Sequence, residues 1–173
     1  MSRVVLRPPT AADQDEFIAA MKASRRLHRP WIYMPETPER YAAYLARVDD
    51  PRAAPYLACR TEDGAIVGFL NISEIVRGGF KSAFLGYGGV ARFAGQGYMT
   101  EAMRLLLREA FTTVGLHRLE ANIQPGNTAS LALARRAGFE REGFSPRYLK
   151  VGGRWRDHER WAIREETWRT GRR

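Results

Sequence analysis

The chain has 173 residues, and its 28 Lys and Arg outnumber its 19 Asp and Glu to give a formal net charge of +9. This length suits one domain with a sizeable core, so we expect residues 1–173 to fold as a single domain. No run of about 18 apolar residues is present, which argues against a membrane span. The start of the chain, MSRVVLRPPT, lacks the apolar region of a signal peptide. We therefore expect a cytoplasmic protein with no membrane partner.

Nearly all the basic residues are arginine, whose forked guanidinium suits phosphates. An anionic ligand or an RNA-rich partner fits this composition, and so does a surface that simply carries solvated arginine. Cys59, the single cysteine, cannot form an internal disulfide and is interpreted as a small buried strand residue. His28, His117 and His158 are scattered and form no metal-binding spacing, so we expect no metal.

The first half of the chain alternates short apolar runs with helix signals. Val4–Arg7 reads as a strand, and Thr10 with Asp13 marks a helix start ahead of a helical apolar stripe. Residues 25–38 show no periodicity, and Thr37 followed by Pro38 begins a second helix. Three strands then follow, separated by tight turns, in the segments PYLACR, IVGFLNISEI and AFLGYGGV.

The second half predicts two further helices and three strands. Apolar spacing gives a helix from Tyr98 to Thr113, then a strand at HRLEANIQ and a helix, TASLALARRAGF, that ends at Gly138. The last two strands pair as a hairpin across Gly152 and Gly153, and the tail TWRTGRR is expected to be a frayed terminus. The order β-α-α-β-β-β-α-β-α-β-β predicts a mixed α/β domain around one sheet.

A glycine-rich loop, RFAGQGYMTEA from Arg92 to Ala102, follows a strand and opens a helix. Backbone N–H groups and the helix dipole therefore converge on one spot, which predicts an anion site. A Walker loop would need GxxxxGK(S/T), and a dinucleotide loop would need a third glycine where Thr100 stands, so neither fits. The pattern (R/Q)xxGx(G/A) does fit, at Arg92, Gly95 and Gly97, although a glycine-rich turn without a ligand would also match.

A second motif follows the glycine-rich loop, and two motifs in this order are less readily explained by a chance match than one. Asn127 opens a helix, Ser130 lies in its first turn, and Gly138-Phe139 closes it. Together the motifs resemble the pyrophosphate loop and following helix of the GNAT acyl-CoA N-acetyltransferases. From Ile72 to Ile163 the chain also resembles the bacterial ribosomal-protein-alanine N-acetyltransferases, most closely those acting on the fifth small-subunit ribosomal protein, through RGGF, LGY, GQG.M.EA, HR..AN..P.N and G.WRDH.

The resemblance implies the GNAT fold, a mixed and mostly antiparallel sheet of six to seven strands flanked by about four helices. It also implies acetyl-CoA as cosubstrate and no metal. Loop amides would hold the pyrophosphate, Gly89 and Val90 would pair with the pantetheine amides, and Arg92 or Arg135 would meet the outer phosphate. The expected cofactor-binding residues are Gly89, Val90, Arg92, Gly95, Gln96, Gly97, Tyr98, Met99, Thr100, Asn127, Ser130 and Arg135.

The catalytic residues are less clearly marked, because this chain departs from the family at two kinds of position. Many relatives carry a tyrosine acid seven residues after the asparagine, where this chain has Ala134. Ser130 is then the best-placed donor of a proton to the departing thiolate, with Tyr148 behind it. Ser130 is equally interpreted as a second helix-start hydroxyl.

Two positions that often hold a glutamate in relatives are Phe84 and Asn122 in this chain. Asn122 could position a water that carries the proton out, while Glu120 is as readily a solvent-facing strand residue. An α-amino group has a pKa about 2.5 units below that of lysine, so deprotonating lysine at neutral pH costs roughly 3 kcal/mol more. A site without an obvious carboxylate base therefore suits an N-terminal amine.

The acceptor side is expected along residues 25–38, where Trp31 and Tyr33 offer flat surfaces, with Phe84 as a further contact. Core or loop packing would explain the two aromatic residues as well. The sequence thus predicts direct acetyl transfer to a primary amine, the N-terminal alanine of a ribosomal protein being the favoured acceptor.

Several alternatives stay open at this stage. A small amine or an antibiotic is the first alternative acceptor, and a pocket lined by carboxylates would favour it. A non-catalytic CoA- or RNA-binding protein is the alternative of another class, and it would need aromatic residues on an open basic face. Contact with the ribosome or RNA through the basic surface, and a monomeric or homodimeric state, are also left open.

Overall fold

A mixed sheet organises the chain in its computed structural model, which describes residues 2–171. Adjacent strands are antiparallel except for the fourth and fifth, which are parallel. The sheet has seven strands in the order β1-β2-β3-β4-β5-β7-β6. The strands are β1 (Val4–Arg7), β2 (Ala54–Arg60), β3 (Ile66–Val76), β4 (Ser82–Gly89), β5 (Arg118–Ile123), β6 (Glu140–Val151) and β7 (Arg154–Arg164). The predicted α/β class and its mostly antiparallel sheet are confirmed.

The described residues form six α-helices, where the sequence predicted about four. They are α1 (Gln14–Ala23), α2 (Arg25–His28), α3 (Pro38–Leu45), α4 (Tyr98–Arg108), α5 (Thr128–Ala137) and α6 (Glu165–Thr170). The additional α2 is a single turn, too short to show helical periodicity in the sequence. A π-helical turn, Glu109–Thr113, continues α4 over the rest of its predicted length.

The prediction of a frayed basic tail was wrong for the described part of that tail. Residues 165–170 form α6, which begins with Glu165 and Glu166 in its first turn. Carboxylates at a helix N-terminus stabilise the helix through its dipole. The sequence analysis considered only the basic tail and overlooked these two residues as a helix start. Arg172 and Arg173, the end of that tail, lie outside the described residues.

The predicted helix ends have the expected local chemistry. The backbone N–H of Thr10 donates to Asp13, at 2.8 Å, and the hydroxyl of Thr37 accepts from the Arg40 N–H, at 3.3 Å. Gly138 ends α5 with a φ of 95°, in the left-handed region that favours glycine. Cys59 is 2% exposed within β2, so its prediction as a buried strand residue is also confirmed.

Helices cover both faces of the sheet. On one face, Phe17 of α1 contacts Phe69 of β3, and the Tyr44 hydroxyl of α3 donates to Oδ1 of Asn71 at 2.8 Å. On the other face, a Cβ at Gly89 would lie 3.2 Å from Cγ of Met99 in α4. We call these the α1–α3 face and the α4–α5 face. No helix within residues 2–171 is long and apolar enough to cross a membrane.

The parallel pair β4–β5 separates part of the way along. Backbone pairing joins Ser82–Phe84 to Arg118–Glu120 and then stops, although β4 continues to Gly89 and β5 to Ile123. The last residues of both strands therefore border an opening inside the sheet, which we call the strand gap. Because backbone N–H and C=O groups need partners, an opening in the middle of a sheet is where a ligand would supply them.

Candidate active site

The glycine-rich loop presents a cluster of backbone amides at the start of α4. Gly95 and Gly97 have φ angles of 75° and 84°, which turn the chain sharply before the helix begins. The amides of residues 95–99 donate to no other group within the described part of the chain, whereas those of Thr100 and Glu101 donate to the Gly97 carbonyl. Unpaired N–H groups at the positive end of a helix dipole form an anion site, which we call the amide cradle.

Arg3, which the sequence analysis missed, holds the outer side of this loop. Its backbone N–H and Nε donate to the carboxylate of Glu101 at 3.0 and 2.6 Å, and Nη2 donates to the Gln96 carbonyl at 3.1 Å. Its guanidinium also lies 4.7 Å from the centre of the Tyr98 ring. The loop is therefore fixed from both ends and carries a cation at its rim.

The structure brings Arg136, rather than Arg135, to the start of α4. Nη1 of Arg136 donates to the Thr100 hydroxyl at 3.4 Å, whereas the Arg135 guanidinium lies over the Trp161 ring, 5.2 Å from its centre. With Arg104 and Arg108, Arg136 lines a groove of about 570 Å³ between α4, α5 and α6. The expectation that Arg135 meets an outer phosphate therefore has no support in its position, because its cationic group faces β7.

Several of the expected site residues line one small cavity of about 60 Å³ in the strand gap. Trp31, Asn122, Asn127 and Ser130 are among them. Of the residues expected to act in catalysis or to contact the acceptor, three lie outside the lining. Tyr148 contacts the lining residue His158 edge to face, with ring centres 6.3 Å apart. Phe84 is the last residue of β4 that pairs with β5, and Tyr33 packs so close to Gly152 that a Cβ there would approach its ring to 2.6 Å.

A polar clamp holds the two strand ends apart. On the β4 side, the Ala91 N–H donates to the Ser24 hydroxyl at 2.9 Å, and Nε2 of His28 donates to the Gly89 carbonyl at 2.7 Å. On the β5 side, Nε2 of Gln124 donates to the carbonyls of Pro30 and Trp31 at 3.4 and 3.3 Å. Residues 24–31 therefore connect both edges of the strand gap, a role that no local sequence signal revealed.

Val90 does not have the free amide that the sequence analysis expected. Its N–H already donates to the Val67 carbonyl of β3, at 2.9 Å. Backbone groups of alternate residues in an antiparallel ladder point to opposite neighbours, so those of Tyr87 and Gly89 point toward the strand gap. The Gly89 carbonyl is engaged by His28, which leaves its N–H for a ligand.

Ser130 belongs to a hydroxyl pair with Tyr87, a residue whose role the sequence analysis missed within its LGY motif. The Ser130 hydroxyl donates to Oη of Tyr87 at 2.8 Å, and Tyr87 donates to the Ser130 carbonyl at 3.0 Å. Burial raises the pKa of Tyr87 to about 12, so this phenol keeps its proton at neutral pH. Ala134, which replaces the tyrosine of many relatives, is fully buried. Asn127 caps α5 by accepting from the Ser130 N–H at 3.3 Å, as predicted.

The opposite side of the cavity has acceptors but no carboxylate. Oδ1 of Asn122 is buried with no hydrogen-bond partner among the described residues. Glu120, two residues earlier on the same face of β5, pairs with Nε of Arg118 at 2.9 Å. His158, 3% exposed, also lines the cavity, and its Nδ1 donates to the Arg156 carbonyl at 2.9 Å. No metal-binding group of three or more His, Cys, Asp or Glu is found within residues 2–171.

An amide cradle joined to a gap between two parallel strands defines an acyl-CoA-dependent transferase site. Residues 3–140 match the model of the acetyltransferase (GNAT) domain, and the chain belongs to this family of N-acetyltransferases. It is 34% identical over 125 residues to the probable N-acetyltransferase YjcK of Bacillus subtilis (strain 168), covering 72% of this chain and 69% of that protein.

Two further proteins to which the chain is similar have more specific names. The ribosomal protein uS5-alanine N-acetyltransferase of Escherichia coli (strain K12) is 39% identical over 111 residues, which cover 64% of this chain and 57% of that enzyme. Mycobacterium smegmatis RimJ in complex with CoA-disulfide superposes with a TM-score of 0.86 at 33% identity, covering 94% of this chain and 82% of that one. The GNAT fold expected from the sequence is confirmed, and a structural relative at this identity holds a CoA derivative.

Replacing Gly95 tests the amide cradle. A Gly95→Ala substitution adds a methyl group at a φ of 75°, with no other protein atom within 4 Å, so a ligand held by the loop would be its nearest neighbour. We expect CoA affinity, measured by isothermal titration calorimetry, to fall by about tenfold or more. Left-handed strain of roughly 1–2 kcal/mol accompanies the change.

The control is Gly78→Ala, in the β3–β4 turn. Gly78 has a φ of 72° and equally open surroundings, so it carries the same strain far from the loop. It should leave CoA affinity unchanged. An equal loss of CoA affinity in both variants would contradict the cradle.

Proposed function

We propose that this N-acetyltransferase moves the acetyl group of acetyl-CoA to an N-terminal α-amine, that of alanine on a ribosomal protein. The observation that carries the proposal is that the amide cradle follows shortly after the end of β4, which borders the strand gap. Ser130 lines the cavity inside this gap. Bound acetyl-CoA would supply the activated thioester, and the chain would supply its orientation and the proton transfers. The similarity to the ribosomal protein uS5-alanine N-acetyltransferase supports the choice of acceptor.

The cosubstrate fits the groups that lack partners. The amides of residues 95–99 would bind the pyrophosphate, and the backbone of Tyr87 and Gly89 would pair with the pantetheine amides as an added strand. Of the residues expected from the sequence, we keep Gly89, Arg92, Gly95, Gln96, Gly97, Tyr98, Met99, Thr100, Asn127 and Ser130. Arg136 replaces Arg135 as the second candidate for the outer phosphate.

The cavity lining argues against a polyamine or a similar polycationic acceptor. Its residues include no Asp or Glu, and the nearby Glu120 is already paired with Arg118. A multiply charged amine would have to lose its hydration without a counter-charge, which is costly in a buried site. A cavity of only about 60 Å³ suits a side chain as small as that of alanine.

Two aromatic side chains would border the acceptor on the α1–α3 face. Trp31 lies over Gly126, where a Cβ would approach its Cη2 to 3.0 Å, and Tyr33 packs against the Gly152 turn of the β6–β7 hairpin. This hairpin carries Lys150 and Arg154 beside Trp155, which is 62% exposed. A basic surface with an exposed aromatic ring supports contact with an RNA-rich partner such as the ribosome.

Ser130 would turn its hydroxyl from Tyr87 to the departing thiolate and donate the proton there, and the Tyr87 hydroxyl would turn from the Ser130 carbonyl to restore it. A Ser130→Ala variant should lower kcat about 100-fold, within the range for a general acid. Its KM for acetyl-CoA should stay within about twofold, because the amide cradle is untouched. Thr128→Ala, an exposed position at the start of the same helix, is the control. A loss confined to KM would contradict this role.

Two adjacent arginines, Arg135 and Arg136, are tested for contact with the outer phosphate of CoA, which is its 3′-phosphate. Arg136→Gln should raise the KM for acetyl-CoA about tenfold, and this penalty should vanish with the 3′-dephospho cosubstrate. Arg135→Gln should not change the KM, because its guanidinium faces Trp161. A penalty that is equal for both cosubstrates would contradict the assignment to Arg136.

The acceptor is tested by thiol release from acetyl-CoA. Short peptides with a free N-terminal alanine are compared with the same peptides that are N-blocked and contain lysine. We expect thiol only with the free terminus, because an α-amine is the weaker base. Faster transfer to internal lysine would overturn the choice of acceptor. Tight CoA binding without thiol from any peptide would redirect the search to small amines, antibiotics or a non-catalytic role.

A further inference from the structure

We propose that His158 is the general base of this site, and that its Nε2 takes the proton from the acceptor amine. The inference rests on the proposed function and goes beyond it, because that function names a proton donor but no base. The sequence analysis gave the histidines no role in the site. Three features carry it: the face of the sheet on which His158 lies, the tautomer that its hydrogen bond fixes, and the absence of a carboxylate from the cavity lining.

Strand register gives the first feature. Asn122 of β5 lies opposite Arg160 of β7, and the side chains of alternate residues share a face, so His158 shares a face with Arg160 and Asn122. Parallel pairing of Phe84 with Glu120 puts this set on the same side as Phe84 and Gly86, the α1–α3 face. Ser130 enters the cavity from α5, on the other face. An acid and a base would thus approach the reacting carbon from opposite sides.

The hydrogen bond at Nδ1 gives the second feature. The Arg156 carbonyl can only accept, so Nδ1 carries the proton and neutral His158 has its lone pair on Nε2. Edge contact with Tyr148 on β6 holds the ring from the outer side. The free nitrogen therefore belongs to a ring that is fixed on two sides and is 3% exposed.

Burial lowers the pKa of His158, against the opposing effects of the Arg156 carbonyl and the Asp157 carboxylate. On β7, Arg160 lies on the same face, and on β6 the facing titratable group is the Tyr148 phenol. Among the cavity-lining residues only His158 and Tyr87 titrate, and Tyr87 keeps its proton. His158 is therefore the unprotonated nitrogen base of this lining at neutral pH.

The proton balance is as follows. Nε2 takes one proton from the ammonium, directly or through a water held by Oδ1 of Asn122, and the imidazolium later releases it to solvent. The neutral nitrogen forms a C–N bond to the acyl carbon as the C–S bond breaks and its electron pair stays on sulfur. The thiolate takes the Ser130 proton, and the second proton lost by nitrogen returns through the hydroxyl pair. One proton is released for each ammonium consumed.

His158→Asn tests the base, because the shorter amide retains a donor toward the Arg156 carbonyl and removes Nε2. We expect kcat at pH 7 to fall about 100-fold with the KM for acetyl-CoA within about twofold. The deficit should shrink as the pH rises to about 9.5, where an α-amine is neutral without help. Wild-type kcat should fall on the acid side with an apparent pKa below the ordinary value for histidine, because burial lowers the pKa of His158, and the variant should lack this step. A loss that is equal at every pH would overturn the proposal.

His117→Asn is the matched control, since His117 is half exposed and pairs with Glu166 far from the strand gap. Its kcat and pH profile should match those of the wild type. Nitrogen chemical shifts of histidine-labelled wild-type protein, with and without CoA, then test the tautomer without turnover. An unprotonated Nε2 at pH 7 supports the proposal, and a protonated Nε2 overturns it.

These two measurements keep the proposals separable. If the enzyme acetylates another amine, the kinetic comparison is made with that amine, and only the acceptor assignment fails. If no amine is acetylated, the proposed function fails as a whole, and no general base is needed. His158 would then fail with it whatever its tautomer.

Discussion

The parting of β4 and β5 is the constraint on which the rest of this structure depends. A strand that loses its neighbour in the middle of a sheet exposes backbone groups that are costly to bury unpaired. The edges beyond Phe84 and Glu120 are in that condition. The fold therefore holds open a place that an extended, amide-bearing ligand would complete, and the amide cradle after the end of β4 would meet the charged end of the same ligand.

Keeping the strand gap open requires contacts that closure would break. Residues 24–31 supply them, since Ser24 and His28 bind the end of β4 while Gln124, just after β5, binds the carbonyls of Pro30 and Trp31. Burial lowers the pKa of His28, so the neutral ring donates to the Gly89 carbonyl without bringing a charge into the sheet. In the proposed function the same segment would also form the wall on the acceptor side. One stretch of chain would then set the geometry at both the thioester and the amine.

Sequence reasoning predicted what depends on neighbouring residues. The strands, the Thr37 and Asn127 caps, the Gly138 helix end and the glycine-rich loop each follow from local backbone chemistry. It could not predict what depends on the orientation of packed elements. Arg135 and Arg136 are adjacent and equally cationic, and only the packing of α5 through Leu131 and Ala134 decides which of them faces the loop. The placement of His158 beside the cavity is equally non-local, because it depends on the register between β5 and β7.

The proposed base and the proposed acceptor are linked through the pKa of the amine. Even at an ordinary histidine pKa, taking a proton from lysine would be uphill by about 5 kcal/mol, against about 2 kcal/mol for an α-amine. Burial lowers the pKa of His158 and raises both costs by the same amount, so the difference of about 3 kcal/mol between the two amines is unchanged. The discrimination between the two amines therefore comes from their own pKa values. In the proposed site, a preference for a protein N-terminus would follow from the lower pKa of the α-amine together with the small volume of the cavity.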